Sequence, residues 1–507
     1  MTYVSFGRRL TDLAAAAPDR PAVSCGEQRL TRRQLDELAA ALAHDLAGLG
    51  VTLGDMVTIA LPNSVDWFVA AAAAWKVGAT PQPVAAHLPA PELRAIVELA
   101  DPAVVLGATA EDAGGRPWLA DARPSAEGSG ALAELPDVVA PAWKAPTSGG
   151  STGRPKLIVS GDPGLVDLDG TPPLLFQRDG CLVMPGPLYH NGPIVWSCQA
   201  LMWGGHVVVL PRFDAEATLA AIEAHRADVV YLVPTMMKRI WRLPEEVRTR
   251  YDLSSLRVAW HLAEPCPPWL KEAWIGWLGP ERVVELYGGT EGQGSTVITG
   301  TEWLGHRGSV GRPSFGEIMI CDADGAEVPA GVTGEVWLRS GRPRETYRYV
   351  GAEARQREGG WESLGDNGYV DEDGYLYLGD RIADMILTGG ANVYPAEVEA
   401  VLLEHPAVRS CAVIGLPDED RGNRVHAVVE ATTSAVTGAE LTAFVAERLA
   451  RYKVPRTVEL VDRPLRDDAG KVRRSELRAQ RLAGATAGPA GGPDGGSGGD
   501  VPAPGGT

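Results

Sequence analysis

The chain has 507 residues, a formal net charge of −18 and a sequence pI near 5.0. That length exceeds what one hydrophobic core supports, so at least two domains are expected. The acidic balance excludes a broad nucleic-acid or anionic-membrane face, so any anionic ligand has to be held by local donors.

The first residues carry Arg8, Arg9 and Asp12 and offer no apolar signal core. Thr31-Arg32-Arg33-Gln34 has the form of a capping box, after which Leu35, Leu38, Leu42, Leu46 and Leu49 recur at helical spacing up to Gly50. Val57 to Leu61 reads as a buried strand, Trp67 to Val77 as a small-residue helix and Val104 to Leu106 as the next strand. The run Trp67 to Trp75 stops at Lys76, well short of the ~20 apolar residues of a membrane span. Ala110 to Pro136 reads as a surface excursion.

Leu182 to Met184, His206 to Leu210, Val229 to Val233, Leu256 to Trp260 and Val283 to Leu286 read as further strands, with a helix capped by Asp214 running to His225. This alternation predicts parallel β-α-β units and an α/β fold class. From Glu317 the pattern changes to hairpins (Glu317 to Cys321, a turn at Asp324-Gly325, Glu335 to Leu338), which predict a β lobe. Beyond Asp380 a compact α+β unit restarts with Pro395 at a first helical position, and helix to His405. Strands at 408–415, 424–430 and 457–461, a helix at 440–449 and a last helix from Arg474 complete it. After about Leu482 the chain is almost all Gly, Ala and Pro, and disorder is expected there. The six cysteines (Cys25, Cys181, Cys198, Cys266, Cys321, Cys411) include no C-x-x-C pair, which fits reduced thiols in a cytoplasmic protein and gives no zinc site.

The chemistry-bearing stretch is Thr147-Ser148-Gly149-Gly150-Ser151-Thr152-Gly153-Arg154-Pro155-Lys156. Glycines let backbone N–H groups turn toward an oxyanion, the hydroxyls add donors, and Lys156 adds positive charge. A polyphosphate is the natural target, and a plain surface turn is the alternative. The Walker A spacing is absent, since Leu157 follows Lys156.

Further along stand Tyr189-His190-Asn191, Tyr287-Gly288-Gly289-Thr290-Glu291-Gly292, Gly365-Asp366, Gly379-Asp380-Arg381 through Glu399, and Gly470-Lys471. In this order and at these distances the set resembles the adenylate-forming superfamily of acyl-CoA synthetases, adenylation domains and firefly luciferase, over roughly residues 5 to 480. The resemblance implies a large adenylation domain at 1–381, a small mobile domain at 382–482 and a tail at 483–507. It implies ATP, Mg2+ and CoA as ligands. It also implies activation of a carboxylic acid to an acyl-adenylate with release of pyrophosphate, then transfer to CoA or to a phosphopantetheine carrier. An anionic nucleophile meeting an anionic triphosphate needs charge neutralisation and alignment more than a covalent catalyst.

Carried onto this chain, Thr147, Ser148, Gly149, Gly150, Ser151, Thr152, Gly153 and Lys156 would hold the outer phosphates. Thr290 would contact the α-phosphate, and Glu291 would be the Mg2+ ligand. Tyr287, with Gly288 and Gly289, would face the adenine, and Asp366 and Arg381 would hold the ribose. His190 resembles the gate residue beside the acid. Lys471 would bring its ammonium from the small domain, and Gly389 and Gly390 would serve the thiol half-reaction.

The hinge position falls on Ala383, where the family commonly has Asp or Lys, with Asp384 next. Intact adenylation is therefore expected, with thiol transfer slow or delegated to a partner. A second departure is Leu465-Arg466-Asp467, where the family commonly reads Pro-Arg-Thr.

The acid pocket is expected from Tyr189–Pro193, Thr235–Met236, Trp260–Pro265 and Gly288–Gly289, segments in which no charged residue is an evident partner for an α-ammonium. Gly288-Gly289 would clear one wall for a bulky acid. Together with the runs His261 to Leu270 and Val297 to Pro313, this resembles bacterial ligases of bile-acid, steroid or terpenoid acids; relatives of this kind occur in actinobacterial secondary metabolism. Polycyclic or aromatic acids are thus the expected substrates. A nitrite-using diazotase, a carrier-protein loader and a non-catalytic AMP-binding module are the alternatives. A monomer or homodimer is expected, with no nucleic acid and no membrane span.

Overall fold

The computed structural model describes residues 2–124, 135–149, 155–379, 384–388, 391–418, 422–433, 435–449, 451–466 and 472–486. The strands Cys181–Met184 (β1), His206–Val209 (β2), Val229–Leu232 (β3), Val258–Leu262 (β4) and Val283–Gly288 (β5) form the centre of a large sheet. Helices Asn191–Met202 (α1), Ala215–His225 (α2), Pro234–Trp241 (α3) and Pro268–Leu278 (α4) follow four of them in turn. The five strands pair in parallel in the order β5-β4-β3-β1-β2, and β2 pairs in parallel with Pro21–Cys25. Helices cover both faces of such a sheet, so β3 reads Val-Val-Tyr-Leu without alternation, and all four residues are buried.

Local signals behave as the sequence predicts. Thr31 and Gln34 close a capping box on the helix Arg32–Gly48, and the Asp214 carboxylate accepts from Ala217 N at 2.8 Å to start α2. The helix Val65–Lys76 buries Trp67, Phe68, Trp75 and a run of alanines, whose small size lets it pack closely on its neighbours. It borders a second parallel sheet, ordered Thr80–Pro83, Met56–Ile59, Val104–Leu106 and Trp118–Leu119.

Two expectations shift. The strand expected at Leu256 to Trp260 begins two residues later, because Leu256 closes a turn onto Leu253 O. Ala263 and Glu264 therefore stand at the carboxyl edge of the sheet. The antiparallel strands expected as a lobe extend the same sheet. β5 pairs with Ser295–Thr299, which pairs with Ser309–Phe315, and the path ends at Glu317–Cys321.

The smaller C-terminal domain has its own core. Strand Val408–Asp418 (β6) pairs antiparallel with Gly422–Ala431, which pairs in parallel with Thr457–Val461. Alternation along β6 sends Cys411 and Val413 toward helices Pro395–Glu404 (α5) and Gly438–Ala446, and Ala412 and Ile414 toward Leu465 and Leu477. No helix among the described residues is long and apolar enough to cross a membrane.

Candidate active site

The carboxyl ends of β3, β4 and β5 lie side by side, with Leu232 opposite His261 and Leu262 opposite Leu286. Past these ends come Thr235, Glu264 and the turn Gly288-Gly289-Thr290-Glu291-Gly292. A crevice beyond the carboxyl ends of parallel strands is where open α/β sheets bind ligands.

The hydroxyl-rich stretch enters this edge as a hairpin. Thr147–Gly149 pairs antiparallel with Pro155–Ser160, which puts Ser148 opposite Lys156. Leu157 and Val159 turn into a small apolar cluster, so alternation leaves Lys156 and Ile158 on the other face. Tyr347–Val350 adds a third strand, with Tyr349 opposite Ile158 and hence beside Lys156. The Lys156 ammonium stands 3.8 Å from the centre of the Tyr349 ring and 3.6 Å from Glu291 Oε1. The Tyr349 hydroxyl donates to the same Glu291 oxygen at 2.5 Å. Glu291 is buried, and burial together with the hydrogen bond to this carboxylate raises the Tyr349 pKa.

Thr147 is anchored from below. Its hydroxyl accepts from Gln82 Nε2 at 2.8 Å, and Gln82 Oε1 accepts from Thr58 at 2.6 Å, both residues being wholly buried in the second sheet. Thr147 accepts in this chain, which leaves its own proton to be given toward the loop. Three residues earlier, Lys144 is buried with its ammonium 5.0 Å from the Trp143 ring centre. Burial pushes its pKa down to about 8, an effect opposed by Glu291, Asp162 and Cys198.

At the end of β5, the Tyr287 hydroxyl donates to Asp366 Oδ2 at 2.7 Å, which brings the expected adenine and ribose residues together. Thr290 is half-buried in the turn between them and Glu291. His190 stands at the start of α1, its ring 4.3 Å from that of Tyr189. Behind it Tyr231, Trp196 and Trp260 form an aromatic wall, with centroid distances of 5.4 Å and 5.7 Å from Trp196 to the other two. Gly192 fits there because a Cβ would come within 2.3 Å of the Tyr231 hydroxyl.

The two glycines after Tyr287 do not clear a wall for substrate. A Cβ on Gly289 would lie 2.6 Å from Leu364 Cδ1 and 2.9 Å from Glu291 Oε2, and one on Gly288 would meet Gly294 O at 3.1 Å. Both directions point into the protein, so Gly289 makes room for the Glu291 carboxylate. His261, expected along the acid pocket, is wholly buried on the other side of its strand beside Glu285 and Lys271. Burial holds its pKa well below the ordinary value, so it stays neutral.

Gly150, Ser151, Thr152, Gly153, Arg381, Ala383, Gly389, Gly390 and Lys471 lie outside the described residues, as does the side chain of Ser148. Asp384, next to the expected hinge, accepts from Arg474 Nη1 at 3.2 Å.

Sequence reasoning missed Tyr349, Lys144 and Glu264. The alternation of Tyr347 and Tyr349 in a short β-prone run was a signal for the first. An isolated lysine between Trp and Ala was a signal for the second. Glu264 lay inside a segment read as lacking an evident charged partner. Its carboxylate accepts from the Thr235 N–H and hydroxyl, each at 2.9 Å, and so caps α3.

The family model described as AMP-binding enzyme matches residues 10–347, and that of the AMP-binding enzyme C-terminal domain matches 397–471. A feruloyl-CoA synthase of Amycolatopsis sp is 35% identical over 92% of this chain and 96% of its own. The o-succinylbenzoate CoA synthetase of Bacillus subtilis, solved with its acyl-adenylate intermediate, has a TM-score of 0.79 at 26% identity over 94% of this chain and 99% of that one. The same synthetase solved with ATP and a magnesium ion gives 0.78 at 26% identity, over 94% of this chain and 100% of that one. With the hairpin, the buried acid and the tyrosine–aspartate pair on one sheet edge, these matches show that the chain belongs to the AMP-binding enzyme family and is an AMP-forming ligase of the adenylate-forming superfamily.

Proposed function

We propose that the chain uses ATP to convert an aromatic carboxylic acid to an acyl-adenylate with release of pyrophosphate, then transfers the acyl group to the thiol of CoA. The observation that carries this reading is the convergence of Lys156 and Tyr349 on buried Glu291, in the turn that follows the strand whose Tyr287 pairs with Asp366. The hairpin amides and hydroxyls at 147–153, with Lys156, take the outer phosphates, and Thr290 takes the α-phosphate. Glu291 offers a carboxylate, the donor type a magnesium ion takes, and the ion would spread the charge that builds on the leaving pyrophosphate. Lys156, 3.6 Å from this carboxylate, adds a cation at the same place. Tyr287 and Asp366 hold the nucleoside, and Lys471, with Arg381, Gly389 and Gly390, completes the site from the C-terminal side. The domain division at 381/382 fits the separate core that begins at Ile386.

Aromatic acids are favoured over polycyclic ones for two reasons. The glycine pair gives no extra room, and the acid side is walled by Tyr231, Trp196 and the Tyr189–His190 pair. The feruloyl-CoA synthase and o-succinylbenzoate CoA synthetase relatives are named for acids with a single aromatic ring. A pyrophosphate-exchange screen over hydroxycinnamates, benzoates, polycyclic acids and fatty acids tests the proposal, followed by mass detection of the CoA thioester. Exchange is expected with single-ring acids and is expected to fall about a hundredfold in Glu291→Gln and in Lys471→Ala. Exchange confined to steroid or fatty acids would overturn the substrate class. Full exchange in both variants would overturn the site.

A further inference from the structure

Helix α3 begins at the rim of the site and ends against the small domain. Its Ncap, Val233, has no side-chain cap, and the Glu264 carboxylate takes the place of one at Thr235. One turn further on, Lys238 and Arg242 project from the same face, as i and i+4 residues do. Arg242 Nη2 donates to Val408 O at 2.9 Å, and Lys238 Nζ lies 3.3 Å from Arg409 O and 3.5 Å from Val408 O.

These carbonyls lie at the start of β6, where the register with the neighbouring strand shifts between Val408 and Ser410. A bulge of this kind leaves backbone groups outside the ladder. Buried carbonyls need donors, and here both donors come from the large domain. Lys238 is only 6% exposed, so its contact is shielded from water. A second link between the domains among the described residues, Arg473 to Glu92 at 3.6 Å, is between exposed side chains and contributes little.

We infer that Lys238 and Arg242 are positioning residues that hold the small domain in the arrangement used for adenylate formation. The assignment to this half-reaction comes from the residues that flank Lys471 in the chain. On one side, Arg466 approaches Lys238 closely enough to depress its pKa. On the other, Arg473 reaches Glu92 of the large domain. Arg473, just past the catalytic lysine, therefore faces the large domain in this arrangement, and Arg466, just before it, packs on Cys411 O within electrostatic range of Lys238. The inference rests on the function proposed above.

The test compares Lys238→Met, Arg242→Met and Lys238→Arg with the wild type at matched thermal stability. Methionine keeps the packing of the alkyl stem and removes the donor. At pH 10, where docked Lys238 is an uncharged donor and little charge is given up on docking, each Met variant is expected to lower kcat for pyrophosphate exchange about tenfold, because carbonyls are left buried and unpaired. KM for ATP and for the acid should stay unchanged, as should transfer from preformed acyl-adenylate to CoA. Lys238→Arg should restore exchange. A fluorophore pair with one dye on each domain reports docking without any turnover, and both Met variants should lengthen the mean distance. Equal loss in both half-reactions, or unchanged distance and exchange, would overturn the inference. A wild type that docks by the dye readout but exchanges pyrophosphate with no acid would overturn the proposed function instead.

Discussion

Lys144 gives the sharpest test of how this site is built. Its side chain is only 6% exposed, and among the described residues no carboxylate lies within ion-pair distance of it. Burial lowers its pKa from 10.5 to about 8, with Glu291, Asp162 and Cys198 opposing the shift. A drop from 10.5 to about 8 corresponds to about 3 kcal/mol of folding stability lost wherever the ammonium is charged in both states. The sign follows from proton counting. Above pH 8 the folded state binds fewer protons than the unfolded one, so stability rises with pH through the window from 8 to 10.5 and is flat and lowest below it. Lys144→Met keeps the length and removes the charge. It should stabilise the protein by up to about 3 kcal/mol at pH 7, and the gain should shrink toward zero near pH 10.5. Urea unfolding followed by tryptophan fluorescence at pH 7 and pH 10 measures this. A variant no more stable than wild type at pH 7, or an equal difference at both pH values, would refute the reasoning. The expected companion result is slower pyrophosphate exchange, because this cation lies within electrostatic reach of the carboxylate proposed to hold magnesium. A residue that costs stability and serves the site is a familiar trade-off.

Gly289→Ala should push Glu291 or Leu364 aside, since the new Cβ would stand 2.9 Å and 2.6 Å from them; exchange should drop with small and large acids alike. Loss confined to large acids would restore the reading in which this glycine shapes the acid pocket. Lys238 makes docking depend on pH. Burial, with Arg242 and Arg466, lowers its pKa to about 7 against the opposing pull of Cys411 and Glu264. Undocking returns the ammonium to water and its pKa toward 10.5, so the docked state binds fewer protons and docking should strengthen as pH rises from 7. The dye pair should show this trend in the wild type and a flat profile in Lys238→Met; docking that weakens with rising pH would contradict it. Ala383→Asp should speed thiol transfer and leave adenylate formation alone. Equal rates of the two half-reactions, unchanged by the substitution, would show that the missing hinge charge has no consequence.

The order of apolar runs foretold the α/β core because buried parallel strands need unbroken Val and Leu. Caps written in single residues, Thr31 and Asp214, also foretold their helices. α3 and α4 were not foretold. Both start at Pro without a side-chain cap, and α3 borrows its cap from Glu264, 29 residues away in the chain. The same distinction runs through the site. The hairpin, Tyr287, Glu291 and Asp366 stand in local motifs and could be read directly. Tyr349 and Lys144 reach Glu291 through tertiary packing, for which a linear motif carries no mark. The glycine pair failed for the opposite reason. A small residue shows that something is close, but only the fold shows whether that neighbour is a ligand or, as at Gly289, a carboxylate of the same chain.

The charge distribution gives these pieces a common cause. A chain of net charge −18 repels a triphosphate and a carboxylate at long range, so the field of the whole molecule cannot recruit its substrates. Attraction has to be built at contact range, where a low local dielectric strengthens each cation. Lys156 against Tyr349 and Glu291 and Lys144 under the hairpin are two such placements, the second with a pKa pulled down by burial. Both lie within the electrostatic reach of Glu291, which limits the cost. On this argument, adding surface lysines far from the crevice should raise the association rate for ATP at low salt and leave kcat unchanged. Removing either of these two lysines should instead act on turnover at every ionic strength. Stopped-flow ATP binding and steady-state exchange measured across a salt series separate the two. A salt-sensitive kcat defect in Lys156→Met would show that this cation works through the long-range field, against the reading developed here.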